Sequence, residues 1–243
     1  TLSFCFKDLD VLEWNAEQPN LYDLFIETKD SCVHQRVGFK DIGIKGRVFL
    51  VNGRPVKLKG VNHHDTSPTN GYAMTPLEIE RDVKLCKRFN IDTIRTSHYA
   101  PDPLLLELAA EYGLYIVDEV DLETHGVYVQ KLPPSMNWLS NDPKWSARYV
   151  DRAVRHYNRD KILSTPVVMW SLGNESGDGC NTYAMYEYFK SVSKLPVHYE
   201  SAVHARRKAY DVASQMYPSV VDVSAAGEGR SRTKEFNDRP YFL

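Results

Sequence analysis

The sequence predicts an α/β fold, in which an incomplete parallel barrel, with about six of the usual eight strands, follows a piece of antiparallel β domain. Two observations support this. From residue 56 onward, short apolar runs alternate with helical segments at spacings of roughly 25–50 residues, the pattern of parallel strands joined by outer helices. Polar residues follow nearly every strand, and a barrel gathers all its strand ends at one mouth, unlike a doubly wound sheet.

The composition is that of a globular protein with a sizeable core. Of the 243 residues, 42% are hydrophobic and 26% are charged, and the formal net charge is −2. The chain has no basic stripe that would favour nucleic acid, and no apolar run reaches the ~18 residues of a membrane span. The cysteines are scattered without a CxxC pair, which favours reduced thiols and a cytoplasmic location over zinc or disulfides. They are Cys5, Cys32, Cys86 and Cys180.

The first 50 or so residues differ from the rest of the chain. Residues 21–28, 33–42 and 47–51 are short β-rich runs separated by polar or glycine turns, and no helical period appears between them. We interpret them as the end of an antiparallel β domain with a lead-in strand, which turns at Asn52-Gly53.

The barrel segment divides into strands and helices in order. Its predicted strands cover residues 56–61, 91–95, 114–117, 167–171, 197–199 and 209–213. The first helix begins after Thr75, which forms a capping box with Glu78. The second helix begins after Asp102 and ends at Gly113. The first of these two helices is predicted to end at about residue 90. Two further helices are predicted at residues 142–159 and 178–192.

The most informative stretch is the strand at residues 167–171 with the turn after it, which presents Asn174 beside Glu175. The apolar run is typical of a strand buried on both faces, and the carboxyl ends of barrel strands are where such enzymes keep their chemistry. A glycosidase needs a protonated carboxylic acid, and an amide beside it can hydrogen-bond a sugar hydroxyl. We predict Glu175 as a catalytic acid, with a helix cap or a surface ion pair as the alternative.

A Glu-x-His pair, Glu123 and His125, follows the third strand and predicts a cation site. Two residues apart on an extended segment, the side chains point the same way. Oxygen ligands suit Mg²⁺, Ca²⁺ or Mn²⁺, and zinc is the weaker choice because no second His or Cys stands at zinc spacing. Two polar loop residues without an ion are the alternative.

Other polar residues at the strand ends are expected to line the same mouth. His64 follows the first strand and His98 the second, while Glu200 and Tyr217 follow later strands. We interpret the two histidines as hydrogen-bonding groups of a polar pocket.

Seven segments, in family order along the chain, resemble glycoside hydrolase family 2, and its β-galactosidases most closely. They are residues 36–39 (RVGF), 49–53 (FLVNG), 60–65 (GVNHHD), 95–99 (RTSHY), 117–119 (VDE) together with 123–126 (ETHG), 170–177 (WSLGNESG) and 216–217 (MY). The resemblance implies that residues 1–40 end an immunoglobulin-like β-sandwich and that residues 41–243 form most of a catalytic (β/α)₈ barrel. It also implies a homo-oligomeric parent protein.

The resemblance assigns a role to each predicted site residue. It implies that Glu175 is the acid/base and that Asn174 contacts the sugar 2-hydroxyl. It further implies that Glu123, His125 and Glu175 hold Mg²⁺, with Mn²⁺ as a substitute, that His64 and His98 lie near the galactose, and that Tyr217 supports the nucleophile.

The resemblance implies hydrolysis of terminal non-reducing β-D-galactose residues by a retaining double displacement. It places the nucleophile, a Glu of the seventh strand, beyond Leu243, because residues 238–243 look like the beginning of that strand. We therefore expect the 243 residues alone to be inactive. The alternatives are a β-glucuronidase of the same family, which is not expected to carry the Glu-x-His pair, and a non-catalytic carbohydrate-binding barrel.

Overall fold

The computed structural model describes residues 4–128, 138–200 and 207–243. Two small antiparallel sheets precede the barrel strands, as the β-rich runs predict. The first pairs β1 (Tyr22–Glu27) with β2 (Cys32–Val37), and the second joins β3 (Ile42–Lys45), β4 (Val48–Val51) and β5 (Arg54–Pro55). Asn52 and Gly53 both have positive φ angles, 51° and 71°, as the tight turn between β4 and β5 requires.

Five parallel strands form the main sheet, in the order β10-β9-β8-β7-β6. They are β6 (Gly60–His63), β7 (Thr93–Thr96), β8 (Tyr115–Glu119), β9 (Val167–Ser171) and β10 (Val197–His198). A further parallel pair consists of β11 (Ala213–Ser214) and β12 (Tyr241–Phe242). This arrangement confirms the predicted fold class, an incomplete α/β barrel.

Helices join the strands, and their predicted end signals are confirmed. Thr75 caps the first helix in a capping box with Glu78, and Gly113 ends the second with a φ angle of 77°. Among the described helices, none has the length and apolar character that a membrane crossing requires. The helices are α1 (Pro76–Arg88), α2 (Pro103–Tyr112), α3 (His125–Tyr128), α4 (Trp138–Asn141), α5 (Ser146–Asp160), α6 (Cys180–Val192), α7 (Val220–Gly227) and α8 (Glu235–Asp238), with 3₁₀ turns at Pro143–Trp145 and Lys161–Leu163.

Two predicted strands were placed wrongly. The first barrel strand begins at Gly60 and not at residue 56, because Val56 and Leu58 pack against the core around Trp14 and join no parallel ladder. The sixth strand is β11, at Ala213–Ser214, and not residues 209–213. Before β11, the buried Ala209 and Tyr210 belong to the helix-side core, whereas Val212 belongs to the core around Trp14.

Side chains of β8 alternate between two cores, which places its polar residues on opposite faces. Ile116 belongs to the core between the sheet and the helices, whereas Tyr115 and Val117 belong to the inner core around Trp14. By the same alternation Asp118 faces the helices and Glu119 faces the barrel interior. The indole nitrogen of Trp14 donates to the Ala110 carbonyl at 2.9 Å, which attaches the lead-in segment to the barrel.

Candidate active site

A buried network of hydrogen bonds lies at the carboxyl end of the parallel sheet, around Glu119. This side chain is 0% exposed. One oxygen accepts from Arg95 Nε and from Ser171 Oγ, both at 2.6 Å, and the other lies 2.7 Å from His98 Nδ1. Burial raises the pKa of Glu119, but the His98 hydrogen bond and the Arg95 and His198 charges lower it more. The net pKa therefore lies below its ordinary value, and the carboxylate is ionised at neutral pH.

Arg95 fixes the orientation of the Asn174 amide. Its Nη2 donates to Asn174 Oδ1 at 3.0 Å. Because a guanidinium has only donors, the amide oxygen must face Arg95 and the amide nitrogen must face away from it. That nitrogen lies 3.1 Å from Glu123 Oε1 and 3.4 Å from Glu175 Oε2. The buried amide thus presents its N–H groups to two carboxylates.

The turn after β9 depends on Gly173 and brings two segments together. Gly173 has a φ angle of 136°, and a Cβ at this position would overlap the Leu122 carbonyl oxygen. The Asn174 backbone N–H donates to that same carbonyl at 2.9 Å, and Glu123 pairs with Asn174 in a single parallel bridge. Glu175 itself has a positive φ angle of 37°, a strained conformation of the kind found at functional sites.

Glu123, His125 and Glu175 form a cluster with the chemistry of a cation site. Their potential ligand atoms lie within 4.8 Å of one another, and His125 Nδ1 is 2.9 Å from Glu175 Oε2. His125 is the first residue of α3, so the prediction of a shared extended segment is wrong, although the side chains do meet. Two carboxylates and one imidazole fit Mg²⁺ or Mn²⁺, and the partial exposure leaves space for the waters that Mg²⁺ retains.

His64 and His98, the two histidines predicted for a polar pocket, lie together beside this network. The rings of His64 and His98 are 5.4 Å apart in an edge-to-face arrangement, and Tyr99 Oη is 3.5 Å from His64 Nδ1. Tyr217, by contrast, is 95% exposed, with a φ angle of 50°. The described contacts connect all the predicted site residues except Tyr217.

Sequence reasoning missed four residues of the buried network, namely Arg95, Glu119, Ser171 and His198. A charged residue in the middle of a buried strand was a usable signal for Arg95, because a charge is buried only when it is paired. For Glu119 the signal was its place two residues after Val117, because the alternation along β8 puts it on the same face as Val117 and on the opposite face from Asp118.

Comparison with known sequences identifies the barrel segment. Residues 42–243 match the family described as "Glycosyl hydrolases family 2, TIM barrel domain". The β-galactosidase of Streptococcus thermophilus is 39% identical over 233 residues, which cover 91% of this chain and 22% of the relative. The β-galactosidase of Arthrobacter sp. (strain B7) is 43% identical over 198 residues, 79% of this chain and 19% of the relative. The chain thus spans about a fifth of the length of these relatives.

Solved structures share the fold at lower sequence identity. The β-glucuronidase of Parabacteroides merdae superposes with a TM-score of 0.72 and 17% identity, covering 95% of this chain and 31% of its own. A β-galacturonidase from Eisenbergiella tayi, bound to galacturonate, gives a TM-score of 0.73 and 21% identity, covering 96% of this chain and 43% of its own. At these identities the likeness establishes the barrel fold alone.

Proposed function

This chain belongs to glycosyl hydrolase family 2, and we propose that it forms most of the catalytic barrel of a β-galactosidase. The enzyme would remove terminal non-reducing β-D-galactose residues from β-galactosides with retention of configuration. One observation carries the proposal. Asn174 and Glu175 stand at the carboxyl end of a parallel strand, with the amide held between Arg95 and two carboxylates. The curated relatives with 35–43% identity are named β-galactosidases, which supports this choice of substrate.

In the proposed mechanism Glu175 is the acid/base. It first protonates the glycosidic oxygen and later takes a proton from the water that releases galactose. His125 Nδ1, 2.9 Å from Glu175 Oε2, holds the carboxyl group in place. A retaining mechanism needs a second carboxylate roughly 5 Å away as nucleophile. We assign it, by the family resemblance, to the segment that continues from β12.

Asn174 is proposed to bind the galactose 2-hydroxyl with the N–H group that makes the longer of its two contacts, at 3.4 Å from Glu175 Oε2. Hydrogen bonds to this hydroxyl strengthen in the oxocarbenium-like transition state, so the fixed amide contributes to the rate more than to substrate affinity. His64 and His98, with their rings 5.4 Å apart, are proposed to bind other hydroxyls of the same sugar. Tyr217 is proposed to support the nucleophile, as the family resemblance implies.

Glu123, His125 and Glu175 are proposed to hold Mg²⁺, which their donor set fits. When bound, the ion supplies positive charge beside the acid/base. The Asn174 amide contacts Glu123 and Glu175, so it joins the cation site to the sugar site.

Hydrolysis by the full-length protein that contains this chain tests the proposal. We expect turnover of nitrophenyl β-D-galactoside and a loss of at least about a hundredfold in kcat for Glu175→Gln. Asp121→Asn is the matched control, because Asp121 lies nearby but is exposed and pairs with Arg152. Preferred turnover of nitrophenyl β-D-glucuronide would instead favour a β-glucuronidase. Sugar binding without turnover, unaffected by Glu175→Gln, would favour a carbohydrate-binding barrel.

A further inference from the structure

His198 lies in the same layer of the sheet as two residues of the buried network. In the parallel ladders, His198 of β10 is the register partner of Ser171 of β9, and Ser171 is the partner of Glu119 of β8. All three side chains are 0% exposed. Register partners on neighbouring strands point to the same face, so the three form one row across the interior of the barrel.

The hydrogen bonds along this row have a single consistent direction. Ser171 Oγ lies 2.6 Å from Glu119 Oε2 and 2.8 Å from His198 Nδ1. An ionised carboxylate only accepts, so the single hydroxyl proton of Ser171 goes to Glu119. Ser171 Oγ must then accept from His198, which carries a proton on Nδ1. Hydrogen-bond chemistry thereby assigns the protonated nitrogen of His198.

The row continues to the catalytic amide through Arg95. Glu119 Oε2 accepts from Arg95 Nε at 2.6 Å, and Arg95 Nη2 donates to Asn174 Oδ1 at 3.0 Å. Each of these contacts joins one group to the next, so a change at His198 is passed through Ser171, Glu119 and Arg95 to the Asn174 amide. In a buried environment such networks are stronger than in water and are worth more than isolated pairs.

We propose that His198 is a positioning residue for glycoside hydrolysis. It acts through Ser171, Glu119 and Arg95 to hold the Asn174 amide toward the sugar 2-hydroxyl. The inference rests on the proposed function, because it needs Asn174 to contact that hydroxyl. The other nitrogen, Nε2, has no hydrogen-bond partner among the described residues and lies 3.7 Å from Glu200 Oε2, so the described hydrogen bond of the ring is the one that Nδ1 makes to Ser171.

The test compares two substrates and two replacements in the full-length protein. The substrates are nitrophenyl β-D-galactoside and its 2-deoxy analogue, and kcat and KM are measured for each. His198→Leu removes the Nδ1 proton, and we expect kcat to fall about tenfold on the galactoside but less than about twofold on the 2-deoxy analogue. His198→Asn places an amide N–H where Nδ1 stands, and it should restore most of the rate on the galactoside.

Ser171→Ala removes the hydroxyl that joins His198 to Glu119 and leaves His198 in place. It tests the same connection if the leucine variant fails to fold. It should give the same substrate-selective loss, and His198→Leu/Ser171→Ala should be no slower than either single variant. Two results would overturn the inference without affecting the proposed function: equal losses of kcat on both substrates, or an asparagine variant as slow as the leucine variant. Either result would mean that His198 only packs against Phe242, whose ring lies 5.0 Å away. Wild-type protein that hydrolyses neither substrate would overturn the proposed function as well.

Discussion

Replacement of His156, a buried residue of α5, should destabilise the protein strongly. Its Nε2 lies 3.3 Å from Asp118 Oδ1 and its Nδ1 lies 3.8 Å from Asp160 Oδ2, so the carboxylates occupy opposite sides of the ring. His156 thus lies between Asp118 of β8 and Asp160 at the end of α5. Arg159 donates to both oxygens of Asp160, at 2.6 and 2.7 Å. One buried negative charge is left, and a protonated His156 balances it.

The pH dependence follows from the pKa of His156. Burial lowers this pKa, but the nearby charges of Asp118 and Asp160 raise it more, so the net pKa in the folded protein is raised. The resulting stability is fully present below the unfolded-state pKa of about 6.5 and is lost as the pH rises through the higher folded-state value. Each unit of pKa difference corresponds to about 1.4 kcal/mol.

The size of the expected loss of stability follows from the burial of Asp118. In His156→Leu this carboxylate loses its balancing cation, and breaking a buried pair in this way costs about 3–5 kcal/mol. That is a large fraction of the roughly 5–15 kcal/mol by which typical proteins are stable. Apolar replacement of both partners is often neutral or stabilising, so His156→Leu/Asp118→Leu should recover most of the loss.

Urea unfolding of the full-length protein at pH 6 and pH 8.5 measures both effects. The unfolding free energy of the wild type should be lower at pH 8.5 than at pH 6. His156→Leu should remove the part of this decrease that comes from His156. His34→Leu is the control, because the His34–Asp23 pair is exposed and should be worth less than about 1 kcal/mol. A His156→Leu variant that loses less than about 1 kcal/mol, or keeps the wild-type pH dependence, would refute the reasoning.

Three further predictions concern the site. Gly173→Ala should lower the free energy of unfolding in urea by about 1–3 kcal/mol, because of the positive φ angle and the nearby Leu122 carbonyl. Gly126→Ala is the control, and it should cost less than about 1 kcal/mol because the space around Gly126 is open. Arg95→Lys keeps the charge but loses the fork between Glu119 and Asn174, so kcat on nitrophenyl galactoside should fall at least about tenfold. Glu123→Gln should weaken Mg²⁺ binding, measured by calorimetry, by at least about tenfold; unchanged affinity would place the ion elsewhere.

The helices could be predicted from sequence because their end signals are local. Thr75 with Glu78 and Gly113 act within one turn of the helix that they limit, so the local sequence contains the whole signal. The first barrel strand was misplaced for the opposite reason. Val56 and Leu58 show the alternation of a strand, but they pack on the distant Trp14, a contact that the local sequence does not encode.

The residues of the candidate site could be selected from the sequence, but the contacts between them could not. Asn174 and Glu175 are recognisable from the buried strand before them, and the Glu-x-His pair from its donor types. What orients the amide is Arg95, which is 79 residues away in the sequence. That contact exists because β7, β8 and β9 are neighbours in the sheet, and strand order is a property of the whole fold.

The Asp118-Glu119 dipeptide shows how the fold gives adjacent acidic residues different tasks. In the sequence they form one polar end of a strand, but the two-residue period of β8 sends them to opposite faces. Asp118 meets His156 on the helix side, where its charge links α5 to the sheet. Glu119 meets Arg95 and Ser171 inside the barrel, where its charge holds the guanidinium that orients the Asn174 amide beside Glu175. Asp118→Asn should therefore change stability and its pH dependence, whereas Glu119→Gln should change hydrolysis, and a variant that exchanged these effects would contradict the division between the two faces.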